Sequence, residues 1–158
     1  MFSESGLSID ELFTGERNFI ANAGNFCSFI YHNFENLNWV GFYFMNRGEL
    51  VLGPFQGKTA CVRIAVGKGV CGTSVAKKET IIVDDVHEFP GHIACDAASR
   101  SEIVIPVIYK DVLIGVLDID SPVLKRFTSK EEETFNAYLD LLIHSSNMDE
   151  IINYYIND

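Results

Sequence analysis

The residues with the most chemistry to offer are Cys61, Cys71, Cys95, Glu102, Asp118, Asp120, Trp39 and Tyr43. Thiols serve as nucleophiles, redox partners or metal ligands, and local environment decides which. Cys61 falls in an expected strand. Cys71 follows Gly69-Val70 at an expected helix start, where unsatisfied N–H groups lower a thiol pKa. Cys95 lies in a long loop. His92 sits three residues before Cys95, with His87 close by, which is a possible metal set. No C-x-x-C pair accompanies them, so the spacing that marks a zinc site is missing. From the residues alone, redox chemistry, nucleophilic chemistry and metal binding all stand. Cys27, on the apolar stripe of a helix, reads as a small buried hydrophobe.

The acids share an address. Asp118 and Asp120 lie on one face of a strand, with Leu117 and Ile119 opposite, because strand side chains alternate. Two like charges on one face repel and cost stability unless a cation or a shared proton intervenes. A solvated strand end is the bland alternative. A turn at Tyr109-Lys110-Asp111 weighs against it, because it folds Glu102 back beside both aspartates. Trp39 and Tyr43, four apart on another strand, also share a face. Aromatic rings beside three acids suit a small ammonium compound with an apolar part.

The elements that must position these groups follow from periodicity. Apolar residues at helical spacing predict a helix over 16–33, through Phe19, Ala23, Phe26 and Ile30. Ser8 and Glu11 have capping-box spacing, but Gly15 soon interrupts. Strands are expected over 37–45, 49–55, 59–66 and 80–83, with a short helix over 70–78. Residues 84–101 form a long loop, the kind that often carries function. Strands over 102–108 and 112–120 make a hairpin. A second capping box at Thr128 and Glu131 opens a helix over 129–146, and the tail is expected to add one helical turn. The sheet and loop thus occupy about 37–120 of one domain spanning 1–158. Helices at both ends of a central block of strands predict an α+β fold, with both long helices on one face of an antiparallel sheet.

Composition narrows the partners. The chain of 158 residues is 47% hydrophobic and carries a formal net charge of −10. Such a body repels nucleic-acid phosphates and anionic headgroups, so neither nucleic acid nor membrane is an expected partner. The first thirteen residues lack the basic and apolar regions of a signal peptide, and no stretch reaches the roughly 20 apolar residues of a span. A cytoplasmic protein is expected, a compartment in which four cysteines are not a structural disulfide framework.

Four segments together resemble the GAF-domain free methionine-(R)-sulfoxide reductases: NWVGFYF at 38–44, LVLGPFQGKTACVRIAVGKGVCGTS at 50–74, VDDVHEFPGHIACDAASRSEIVIPV at 83–107 and GVLDIDSP at 115–122. The resemblance implies a single GAF domain, six antiparallel strands flanked by helices, and a homodimer. It implies reduction of free methionine-(R)-sulfoxide without a cofactor or metal, regeneration by thioredoxin, and a role in repair under oxidative stress. By motif position it makes Cys95 the nucleophile, Cys61 the resolving cysteine and Cys71 an auxiliary thiol. Trp39, Tyr43, Glu102, Asp118 and Asp120 fall on its substrate-binding positions. Cys27 and the tail after Asn147 lie outside the pattern.

The residue types suit such a reaction. A thiolate attacking sulfoxide sulfur yields a sulfenic acid, which a second thiol converts to a disulfide. The oxygen needs a proton, and a carboxyl crowded by others keeps one to higher pH. The same acids raise the pKa of a neighbouring Cys95, a tension that a substrate ammonium relieves. Two rival readings are a GAF sensor module binding a cyclic nucleotide or similar ligand, and a metal protein using His92, Cys95 and Cys61. Three acids disfavour the first.

Overall fold

The computed structural model describes residues 6–93 and 95–157. Residues 1–5, on which the reading of the start partly rests, and Ala94, beside Cys95, lie outside the described residues.

The Ser8 capping box forms but supports only one turn, α1 (Ile9–Leu12). Helix α2 (Phe19–Asn33) starts three residues later than expected, because Asn18 caps it by accepting from the Ala21 N–H. Six strands follow the expected order: β1 (Trp39–Asn46), β2 (Glu49–Gly57), β3 (Arg63–Ala65), β4 (Ile81–Val83), β5 (Ser101–Tyr109) and β6 (Val112–Ser121). Helix α3 (Gly69–Lys77) lies between β3 and β4, and one 3₁₀ turn, Val86–Glu88, punctuates the long loop. The Thr128–Glu131 capping box opens α4 (Ser129–Ser145). The tail adds α5 (Met148–Ile151) and a π turn, Ile152–Ile156.

The strands form one antiparallel sheet in the order β3-β2-β1-β6-β5-β4. Both long hairpins use two-residue turns with positive φ at both positions, Arg47-Gly48 and Lys110-Asp111. That geometry matches the right-handed twist of the flanking strands. It makes the second turn one residue shorter than expected, with Tyr109 already paired to Val112.

Alternation divides the sheet into two faces. Val40, Phe42 and Phe44 of β1, Ile103 and Ile105 of β5, and Leu117 and Ile119 of β6 pack into the core beneath α2 and α4. Both long helices therefore cover one face, as expected. Cys27 is buried in this helix-side core and its thiol donates to Pro54 O at 3.4 Å. Burial pushes that thiol far above its ordinary pKa, which makes it inert. Trp39, Tyr43, Val104 and Val116 face the other way, into a second cluster with Val70, Cys71 and Val75 of α3. No helix among the described residues is long and apolar enough to cross a membrane.

Candidate active site

The second face holds a pocket lined by Trp39, Tyr43, Cys71, Cys95, Glu102, Asp118 and Asp120. Strand register explains the acids. Glu102 pairs directly with Asp120, and Asp118 sits opposite Gly41 on one side and Val104 on the other. Glu102 and Asp118 are buried, with 5% and 7% of their surface exposed. Asp118 Oδ1 is buried without a hydrogen-bond donor. Such an arrangement stores unfavourable electrostatics that a cationic ligand relieves.

The three carboxyls do not ionise alike. Burial, then Asp118 and Asp120, push Glu102 well above the usual carboxylate range. Burial, then Asp118 and Asp96, do the same to Asp120. Burial lifts Asp118 only to about 6, because hydrogen bonding with Glu102 and Cys71 holds it down. Asp118 is therefore the most readily ionised of the three, and Glu102 and Asp120 keep their protons to higher pH. These groups titrate as a cluster.

An aromatic wall closes one side. Trp39 stacks on Phe55 at 5.3 Å and on Tyr43 at 5.9 Å between ring centroids. Two glycines make room for it: a Cβ at Gly41 would overlap the Trp39 ring, and one at Gly57 would reach its Cδ1 at 2.6 Å. Gly57 also has φ of +130°, where side chains are strained.

Strand β1 fixes both cysteine loops as well as the wall. Trp39 Nε1 donates to Lys58 O at 3.1 Å and Tyr43 Oη to Cys61 O at 2.8 Å. Asn38 Nδ2 donates to Asp96 Oδ2 at 3.0 Å and to Ser99 Oγ at 2.9 Å, both just after Cys95 in its loop. With both loops tied to one strand end, Cys61 and Cys95 form a disulfide with Cα atoms 5.8 Å apart. Both cysteines are partly exposed.

Residues 15–143 match the GAF domain family. The chain is 51% identical over 132 residues to the free methionine-R-sulfoxide reductase of Escherichia coli (strain K12), covering 84% of this chain and 80% of that protein. The chain belongs to this GAF-domain reductase family. Solved structures agree. The reduced form of fRMsr from Staphylococcus aureus superposes with a TM-score of 0.84 at 47% identity, over 87% of this chain and 89% of that one. The free methionine-R-sulfoxide reductase of Neisseria meningitidis, in complex with its substrate, superposes at 0.83 with 40% identity, over 87% of this chain and 83% of that one.

For this member of the family, two expectations from sequence need correction. Cys61 lies outside strand β3, which begins only at Arg63. Its carbonyl serves Tyr43 Oη rather than a neighbouring strand. Cys71 does sit near the start of α3, yet its thiol pKa is raised well above the ordinary value. Burial, then Asp118, Glu102 and Asp120, outweigh the helix end. Among the described residues, the three potential ligand atoms that cluster are those of Cys71, Glu102 and Asp118, not of His92, Cys95 and Cys61. Lys68 and His92 also line the pocket, at positions that no periodic pattern marks as facing inward.

Proposed function

We propose that this chain reduces free L-methionine-(R)-sulfoxide to L-methionine. The observation that carries the reading is one pocket lined by both a disulfide-forming cysteine, Cys95, and the acids Glu102, Asp118 and Asp120. Asp118 takes the substrate ammonium. Lys68 and the N-terminal turn of α3, which has no side-chain cap, take its carboxylate. Trp39 shields the methyl group, and Glu102 or Asp120 supplies the proton to oxygen.

In this reading the Cys95 thiolate attacks the sulfoxide sulfur while a carboxyl protonates its oxygen. Oxygen passes to Cys95 as a sulfenic acid, and methionine leaves with two more electrons. The Cys61 thiol then displaces water from the sulfenic acid and forms the disulfide. Cys71 is an auxiliary thiol. Thioredoxin, as an external dithiol, reopens the disulfide, and the working unit is a homodimer. A cyclic nucleotide fits this pocket poorly, because its phosphate meets the acids. Product analysis of reduced protein mixed with each free methionine sulfoxide epimer and dithiothreitol tests the proposal. Methionine from the R epimer supports it, and methionine from neither epimer overturns it.

The acids also bear on the nucleophile. With the pocket empty, the Asp118 charge is expected to hold the Cys95 pKa above the free value of about 8.5. Bound methionine brings an ammonium and no reactive oxygen, so it should lower that pKa, less the offset from its own carboxylate. Thiolate absorbance against pH, in a variant retaining only Cys95, measures this with and without saturating methionine. An empty-site pKa at or below about 7, the range of activated thiols, contradicts the argument. So does a pKa that rises on binding.

A further inference from the structure

The pocket floor has a second chemical capacity. One ligand atom from each of Cys71, Glu102 and Asp118 lies within 4.8 Å of the other two. All three residues are buried and line the same pocket. They come from three separate elements, α3, β5 and β6, so the grouping is a tertiary product rather than a run of acids. Independently, Asp118 Oδ1 is buried and lacks any hydrogen-bond donor. Buried oxygens in that state seek a proton donor or a cation.

We propose that Cys71, Glu102 and Asp118 form a site for one Zn²⁺, and that zinc and substrate exclude each other there. The mixed donor set is the reason for zinc. A thiolate with two carboxylates suits a borderline-soft cation, whereas Mg²⁺ and Ca²⁺ prefer oxygen alone. Zn–S and Zn–O bonds of about 2.3 Å and 2.0–2.2 Å place tetrahedral ligands roughly 3.5 Å apart. The three atoms, already within 4.8 Å of one another, need only a small inward shift to reach that spacing. A water completes the set. Zinc takes Cys71 as thiolate and both acids as carboxylates, and the displaced protons pass to solvent. No electron is transferred. Mutual exclusion rests on the functional reading above, in which Asp118 holds the substrate ammonium.

Catalytic thiols also bind metals, so the test removes them. A Cys61→Ser/Cys95→Ser variant keeps the pocket and leaves Cys71 as its thiol. Co²⁺ serves as the visible probe and a chromophoric chelator measures Zn²⁺ affinity. One equivalent of Co²⁺ is expected to give a thiolate charge-transfer band, which Zn²⁺ then abolishes by replacement. Adding Cys71→Ser should remove the band. It should also weaken Zn²⁺ by more than the roughly 10–100-fold that loss of a supporting partner costs. Asp118→Asn should weaken Zn²⁺ comparably, and Cys27→Ser should change neither. No band, or a band that survives Cys71→Ser or vanishes with Cys27→Ser, overturns the site. Saturating methionine should lower the apparent Zn²⁺ affinity. Methionine that binds without doing so overturns mutual exclusion. Failure of methionine to bind at all, with the band present, counts against the functional reading and leaves the zinc site supported.

Discussion

Cys95→Ser is expected to lower turnover of free methionine-(R)-sulfoxide by about 10³-fold or more, within the range that removal of a nucleophile costs. A serine hydroxyl is scarcely ionised near neutral pH and is a poor nucleophile toward sulfoxide sulfur. The fold should survive, because Cys95 is partly exposed on a loop that Asn38 anchors through Asp96 and Ser99. Cys61→Ser should behave differently. It leaves attack intact and removes only resolution, so about one methionine per chain should be released before turnover stalls. The stalled protein should carry a sulfenic acid on Cys95, which dimedone traps. Cys71 should rescue it slowly, since its buried thiol is held in the protonated form by its acidic neighbours. Rapid-quench product counts and the site of dimedone labelling check both variants. Near-normal activity in Cys95→Ser removes the assignment. Loss of the first methionine in Cys61→Ser makes Cys61 the attacking residue instead.

The two halves of this site differed in how far the sequence disclosed them. The acids were legible from local rules. Alternation put Asp118 and Asp120 on one face, and the hairpin brought Glu102 beside them, a register shift between Val107 and Ile108 setting it opposite Asp120. Neither step needed knowledge of distant contacts. The disulfide was not legible from the residues. Cys61 and Cys95 are 34 residues apart, and what joins them is a pair of loops tied to β1 by Trp39, Tyr43 and Asn38. Only the resemblance to a known family anticipated their pairing of roles. Cys71 shows the opposite failure. The helix-start rule is local, but the pKa of a thiol also depends on burial and on charges from β5 and β6, which only the packed structure assembles. Lys68 and His92 sit at a helix cap and in an irregular loop, where no period marks a residue as facing inward.

Blocking the substrate's amino group should cost far more than trimming its apolar part. N-acetylation removes the ammonium and leaves the Asp118 carboxylate buried opposite a neutral amide. Breaking a buried charge pair in this way costs about 3–5 kcal/mol, or roughly a hundred- to several thousand-fold in kcat/KM. Adding or removing one methylene in the apolar wall is worth only about 1–3 kcal/mol. The environment of Asp118 adds a pH dependence whose sign is fixed. Burial raises its carboxyl to about 6, so it is ionised above that pH and protonated below it. The kcat/KM profile reports groups of the free enzyme. For the free amino acid, binding below about 6 requires the ammonium to displace a proton, and kcat/KM should fall. The acetylated compound has no charge to pair and loses nothing when Asp118 is protonated. Discrimination between the two should therefore be greatest near neutral pH and shrink as pH drops through about 6. Competing rates of free and N-acetylated methionine-(R)-sulfoxide across that interval give the measurement. Equal rates at neutral pH, or discrimination that widens in acid, would show that Asp118 does not recognise the ammonium.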